Sequence, residues 1–274
     1  TDNIVLSSTT ATTGTAISIA KKIESTAGNV RLSGTTSDTA NVGIPSAAVK
    51  SWATVKGVDV SLDAKALGTT GSTLGYYGAG NGGKFEASNN LTLNASSAND
   101  GNGFYMFQGS LKGNTITING VSAKGQGVGF DNKVDINSGS ILNINGTASD
   151  GKQAIGLHGA SMTANGDISL AALGGGDIAV DISNPWSAQI LANTITQDNA
   201  SSGNITLTTI GNGNITVPLI VNKSSGNVVI AAGSDLAAGN GNGGQVKTVS
   251  GNAITQTNGG KTYIYTGSTA GTGL

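Results

Sequence analysis

Short triplets whose first and third residues are apolar return along this chain at a nearly constant spacing. Leu91-Thr92-Leu93, Ile116-Thr117-Ile118, Leu142-Asn143-Ile144 and Ile168-Ser169-Leu170 follow one another at steps of 25, 26 and 26. In an extended chain alternate side chains share a face, so each triplet points two apolar residues the same way. A second column, Phe104/Met106, Val128/Phe130, Ile155/Leu157 and Ile178/Val180, steps by 24, 27 and 23. A third, Leu111, Ile136, Met162 and Ala188, steps by 25, 26 and 26. Three columns recurring in fixed order predict an all-β chain: a right-handed parallel β-helix, or β-solenoid, with three short strands and three corners per coil of about 25 residues.

The segments between columns fit corners. Ser96 to Gly103, Ser122 to Gly127 and Ala148 to Gln153 are rich in Gly, Asn, Ser and Asp, which accept positive φ or form local side-chain turns. Asn94, Asn119 and Asn145 each follow a first-column strand. Stacked at equivalent corners, they would hydrogen-bond along the axis; the alternative is three separate exposed turn residues. Straight-chain helix formers are scarce, and Asn, Thr, Ser and Gly disfavour helix interiors. Disorder fits poorly: 37% of residues are hydrophobic, regularly spaced, and the net charge is −1.

A lone coil leaves its strand edges and inward side chains exposed, so the repeat must continue. At about 25 residues per coil and about 4.8 Å per step, the chain predicts roughly eleven coils in a rod roughly 50 Å long. Terminal coils would present strand edges, hence an expected tendency to end-to-end or lateral self-association. Residues 1–274 read as a single solenoid. Residues 86–190 hold the most regular repeats, 1–85 less regular coils with protruding loops, and 191–274 further coils of uncertain register. Ser33 to Trp52, and Gly68 to Gly83 with Tyr76-Tyr77, read as loops leaving the coil. Trp52, Tyr76 and Tyr77 are accordingly the candidate binding residues.

The same rod offers little for catalysis. Solenoid enzymes acting on polysaccharide need clustered carboxylates or a basic residue beside acidic metal ligands. Here Asp177/Asp181 and Asp131/Asp135, the latter around Lys133, are the nearest acid pairs. At i and i+4 on a straight strand each would be split by about 13 Å. His158 is the sole histidine and reads as a solvated corner residue, with no nucleophile or second ligand beside it. Gly174-Gly175-Gly176-Asp177 occurs once, without the nine-residue period of calcium-binding coils. The expectation is no enzyme, no catalytic or metal residues and no cofactor. With one Arg, Arg31, and scattered Lys, nucleic acid is not an expected partner. No apolar run approaches the length of roughly 18 residues that a spanning helix needs, so membrane insertion is not expected either. Two outward files remain: Thr92, Thr117, Asn143 and Ser169, polar but not a threonine rank of the ice-binding kind, and Tyr105, Gly129, Gly156 and Ala179, small after its first member and therefore flat.

Gly127-Val-Gly-Phe130 leading through Val134-Asp-Ile136 to Ser140-Ile-Leu-Asn-Ile-Asn-Gly-Thr147 resembles the coils of filamentous-haemagglutinin-type exoproteins of two-partner secretion, which include the high-molecular-weight adhesins. Ala154-Ile-Gly-Leu157 through Met162 to Gly166-Asp-Ile-Ser-Leu170, and the closing Gly260-Lys-Thr-Tyr-Ile-Tyr-Thr-Gly267, resemble them too. The resemblance implies a secreted or cell-surface bacterial fibre that adheres to host cells, other bacteria or matrix through a surface glycan or protein. It also implies a dedicated outer-membrane transporter as secretion partner. The one Asn-Pro, Asn184-Pro185, lies in a late coil, which implies a fibre segment rather than the family's secretion domain. Glycosylation at Asn-x-Ser/Thr, known in some members, would fall on Asn90, Asn94, Asn145, Asn199, Asn204, Asn214 or Asn222. The alternatives are a polysaccharide-active β-helix enzyme and a purely structural spacer.

Overall fold

The computed structural model describes residues 2–10, 14–37, 47–78, 83–149, 152–180, 194–197, 203–237, 243–248 and 254–267. Among them there is no helix, and the strands stack in parallel into a β-solenoid. On the first face, Ile4–Thr10, Val30–Thr36, Val60–Ala66 and Asn90–Ser97 pair in turn. The file continues through the ends of two long strands, Gly109–Ser122 and Val128–Thr147. It closes with Ile168–Leu173, Ile205–Thr209, Val228–Ala232 and Thr262–Thr266. The second face stacks Ile17–Ile19, Ala47–Ser51, Leu74–Gly78 and Phe104–Met106 onto the starts of Val128–Thr147 and Gln153–Ala164, then Asp177–Val180, Ile215–Val217 and Val246–Thr248. The third runs from Ile23–Glu24 through Thr54–Gly57 and Lys84–Ala87 to Thr194–Gln197, Leu219–Asn222 and Ile254–Gln256.

All three columns read from the sequence are rungs of this stack, with one correction. Met162 pairs with Ile195, not with Ala188, which lies outside the described residues. The first-face rungs begin at Ile4, Val30, Val60, Leu91, Ile116, Leu142, Ile168, Ile205, Val228 and Thr262. The spacing is therefore most even from Leu91 to Ile168, and longer turns after Val30, Val60, Ile168 and Val228 absorb residues. That leaves ten first-face levels among the described residues rather than eleven coils. Nine steps of about 4.8 Å make a rod of about 43 Å. The registers of the C-terminal strands, ambiguous by spacing alone, are fixed by these pairings.

Alternation fixes the core. Leu91, Leu93, Ile116, Ile118, Leu142, Ile144, Ile168 and Leu170 point inward and are buried, as do their counterparts on the other two faces. Burying each such side chain contributes about 1.5–3 kcal/mol. Between the second and third faces the filling is aromatic. Tyr76 stacks on Phe104 at 4.8 Å and meets Phe85 edge-on at 5.6 Å. Phe104 in turn meets Phe130 edge-on at 6.0 Å. Where the first face turns into the second there is no room for any side chain: a Cβ on Gly120 or Gly146 would lie 2.1 or 2.0 Å from the carbonyl oxygen of Gly127 or Ala154. At the stack's first strand the inward Leu6 stays 37% exposed, whereas its rung partner Leu32 is fully covered.

Polar side chains hold the coils in register. Asn94, Asn119 and Asn145 form the ladder expected of stacked asparagines, the amides of Asn119 and Asn145 each donating 2.8 Å to the Oδ1 one coil earlier. They sit within strands on the outer first face rather than at corners. A second device stands immediately before the strands. The Oδ1 of Asn3 accepts the backbone N–H of Asn29, that of Asn29 the N–H of Asp59, and that of Asp59 the N–H of Asn90. Asp167, Asn204 and Asn227 repeat the pattern toward Asn204, Asn227 and Lys261. At the entry to the second face, Asn102, Asp177 and Asn214 bind Gln126, Asn214 and Gln245 in the same way. Each Asx therefore captures an N–H at the entry to the next coil's strand, as an N-cap captures a helix's first amides.

Asp59 also accepts from the side-chain amides of Asn89 and Asn90, each at 3.0 Å. Asp59→Ala therefore strips three donors of their acceptor and is expected to lower stability by about 1–2 kcal/mol. Asp59→Asn, which keeps Oδ1, should lose less. Urea unfolding midpoints of the two variants check the order.

Candidate binding face

The outer second face gathers the side chains that the structural roles above leave over. Its central outward file reads Ser18, Lys50, Tyr77, Tyr105, Gly129, Gly156 and Ala179, rung by rung. Two residues beyond Lys50, Tyr105, Gly129 and Gly156 stand Trp52 and Phe107, just past the ends of their strands, and Asp131 and His158, within theirs. Strand alternation places them there: in Leu74–Gly78 and Phe104–Met106 the partners Tyr76, Phe104 and Met106 face the core, so Tyr77 and Tyr105 face out.

This placement corrects three sequence expectations. Gly68 to Gly83 does not leave the coil as one loop, because Leu74–Gly78 is a strand of the second face. Tyr76, a candidate binding residue, is completely buried and belongs to the core stack. Ala47–Ser51 likewise returns to the second face ahead of Trp52. Trp52 is 40% exposed and Tyr77 is half-buried, and both belong to one surface. Lys50, Tyr105 and Phe107 join them, although sequence alone does not single them out as binding residues. The signal is present in the spacing: carrying the second column back from Phe104 to Tyr76 and Val49 makes Lys50, Tyr77 and Tyr105 one outward file.

The geometry of the file is tight. The Tyr77 and Tyr105 rings stack at 5.9 Å, 7° from parallel. Lys50 Nζ lies 4.7 Å from the Trp52 ring centroid and 5.3 Å from that of Tyr77. Each such cation–π contact contributes about 0.5–1 kcal/mol, more where water is excluded. Burial lowers the Lys50 pKa and raises that of Tyr77. Tyr105 is raised further, first by burial and then by the charge of Asp131, whose Oδ2 accepts the Tyr105 hydroxyl at 2.9 Å.

Below the aromatics the face is flat, but not bare. Gln126 and Gln153 fold from the preceding corner across Gly129 and Gly156. A Cβ on either glycine would meet their amide atoms at 2.5 and 2.7 Å. Asn102 donates to Gln126 Oε1 at 3.1 Å and Gln126 donates to Gln153, making an axial file of amides. These residues line an open groove with Asp100, Lys124 and His158.

Asp131 and Asp135 do not share a face. Asn132 and Lys133 adopt φ of 51° and 75°, and the register breaks between Asp131 and Val134. Asp131 thus ends the second face while Asp135 starts the third, and the straight-strand spacing does not apply. Asp177 accepts from Asn214 at the corner, and Gly174 and Gly175, at φ of 74° and 81°, make the turn before it. Asp181, Asn184, Pro185, Trp186 and Asn199 lie outside the described residues. Among those described, no group of three or more His, Asp and Glu is arranged to hold a metal ion. His158 is not a fully solvated surface residue: its Nε2 is buried. Of the glycosylation motifs, Asn94 and Asn145 are tied into the ladder and Asn222 is fully buried. The third face carries a separate charge file in which Glu24, Lys56, Glu86 and Lys112 alternate in sign on successive rungs. Hydrogen bonds from Lys22 and Lys56 lower the Glu24 pKa.

Comparison with protein-family models, with curated proteins and with solved structures returned no match to this chain.

A phenol whose pKa is raised by folding binds its proton more tightly in the folded state. Its contribution is intact below the unfolded value of about 10 and is lost as pH rises beyond it. With Tyr76, Tyr77 and Tyr105 all raised, stability should fall above about pH 10, with full phenolate absorbance appearing only as the β-sheet circular-dichroism signal disappears. Complete ionisation near pH 10 with the fold intact would contradict the raised pKa of these three phenols.

Proposed function

We propose that this chain is a segment of a bacterial surface-exposed or secreted adhesin, a rod that attaches to host cells, other bacteria or matrix through its repeating outer surface. The observation that carries the reading is the outer second face, where Trp52, Tyr77, Tyr105 and Phe107 stand on neighbouring coils beside Lys50. Aromatics make up only 4% of the chain, and a spacer has no need to set four of them outward together. Surface aromatics with a cation are the residue types that anchor recognition. Against the alternative of a polysaccharide-active enzyme stand the separation of Asp131 from Asp135 onto different faces and the engagement of Asp177 at a corner.

On this reading a single site binds weakly, and many rods on one surface supply the strength through avidity. Secretion through a dedicated outer-membrane transporter belongs to the same proposal and rests on the resemblance of the coils around Gly127 to Leu170. The test is attachment of beads densely coated with the chain to epithelial cells and to bacteria. The expected result is retention that falls at least about tenfold when coating density drops below the spacing needed for multivalent contact. Retention equal to beads coated with an unrelated β-solenoid would leave only the spacer.

A further inference from the structure

We propose that the outer second face from Lys50 to His158 is a glycan-binding strip, and that its ligand is a neutral polysaccharide lying along the rod axis. The inference rests on the attachment reading and names the ligand class of that surface. Four features of the strip select this chemistry. Trp52, Tyr77 and the pair Tyr105 and Phe107 offer apolar ring surface on three successive coils, the complement of the C–H faces of pyranose rings. The rung repeat of about 4.8 Å is close to the width of one sugar ring, so a chain laid along the axis meets equivalent groups at each step. Beside the rings runs the amide file Asn102, Gln126 and Gln153; amides both donate and accept, as sugar hydroxyls require.

The fourth feature lies at the foot of the strip. Asp131 is only 7% exposed. Among the described residues its Oδ1 meets no hydrogen-bond partner, nor does the buried Nε2 of His158. The two residues are rung partners on adjacent coils. An unpaired buried polar atom is destabilising, and such atoms in native folds call for a functional explanation. A single ligand hydroxyl, admitted when the Gln126 arm swings off Gly129, satisfies both: it donates to the Asp131 carboxylate and accepts from a His158 Nε2–H. The charges favour a neutral chain over a polyanion. Lys124 is paired with Asp100 at 3.6 Å, Lys50 lies over the rings, Asp131 faces the same strip, and the whole chain carries a net charge of −1.

The experiment is affinity electrophoresis of the whole chain through gels containing soluble β-glucan, mannan or chitin oligosaccharides, with heparin and alginate as charged controls. Retardation by at least one neutral glycan is expected. Trp52→Ala and Tyr77→Ala should each weaken it about tenfold, the scale of one aromatic contact. Tyr263→Ala, on the outer first face, should leave it unchanged. Both tested aromatics face outward, so circular dichroism should show all variants folded. Migration unaffected by any neutral glycan, retardation by heparin or alginate alone, or equal retardation of the Trp52 and Tyr77 variants and the unmodified chain would each overturn the proposal. If beads attach to cells while no neutral glycan retards the chain, the glycan inference fails and the attachment reading stands. If the beads fail to attach as well, both fall.

Discussion

Everything in this rod follows from parallel pairing between successive coils. Each strand satisfies its backbone groups only by finding an equivalent strand one level up and one level down, so each turn of chain must return the same kind of residue to the same place. A slip of one residue would turn Leu93, Ile118 and Ile144 outward and bring Asn94, Asn119 and Asn145 into the core. The penalty on both sides makes the register sharp. The asparagine ladder and the Asx side chains that capture the N–H at the entry to the next strand then reinforce it with directed hydrogen bonds.

That constraint explains why the fold is largely legible from sequence. Inward positions tolerate only apolar or small residues, so the columns at Leu91, Phe104 and Leu111 stand out against polar surroundings. Where a turn lengthens, the columns remain but their spacing drifts. The step from Ile168 to Ile205 is much longer than those before it, and a fixed period puts Ala188 where Ile195 belongs. A residue-by-residue clue exists there too. An Asn or Asp stands directly before many first-face strands, as in Asn3-Ile4, Asn29-Val30, Asp59-Val60, Asp167-Ile168, Asn204-Ile205 and Asn227-Val228. It marks the start of a coil whatever the length of the turn before it.

The outer face is harder to read, because outward positions obey no comparable rule. Tyr76 and Tyr77 are adjacent and chemically identical, yet one fills the core and the other faces solvent; only the strand's phase separates them. The spacing places Tyr105 on the correct file, but it makes the neighbouring Gly129 and Gly156 look bare. Their cover comes from Gln126 and Gln153, corner residues whose reach across the face no spacing announces. The straight-strand argument for Asp131 and Asp135 fails for the same reason: two residues at positive φ turn the chain between them. Surface chemistry on a solenoid is thus set by rung pairing and corner geometry together.

The chain contains no cysteine, which permits a direct test of the register on which all of this depends. Thr117 and Asn143 are outward rung partners on adjacent coils, and strands about 4.8 Å apart fall inside the Cα separation of about 4.4–6.8 Å that a disulfide spans. Oxidation of the Thr117→Cys/Asn143→Cys double variant should give a rapid, near-complete intramolecular disulfide. The Thr117→Cys/Asn145→Cys variant, displaced by two residues on the same face, should remain reduced under the same conditions. Equal cross-linking of both pairs, or faster closure of the displaced one, would contradict the stacked-coil register.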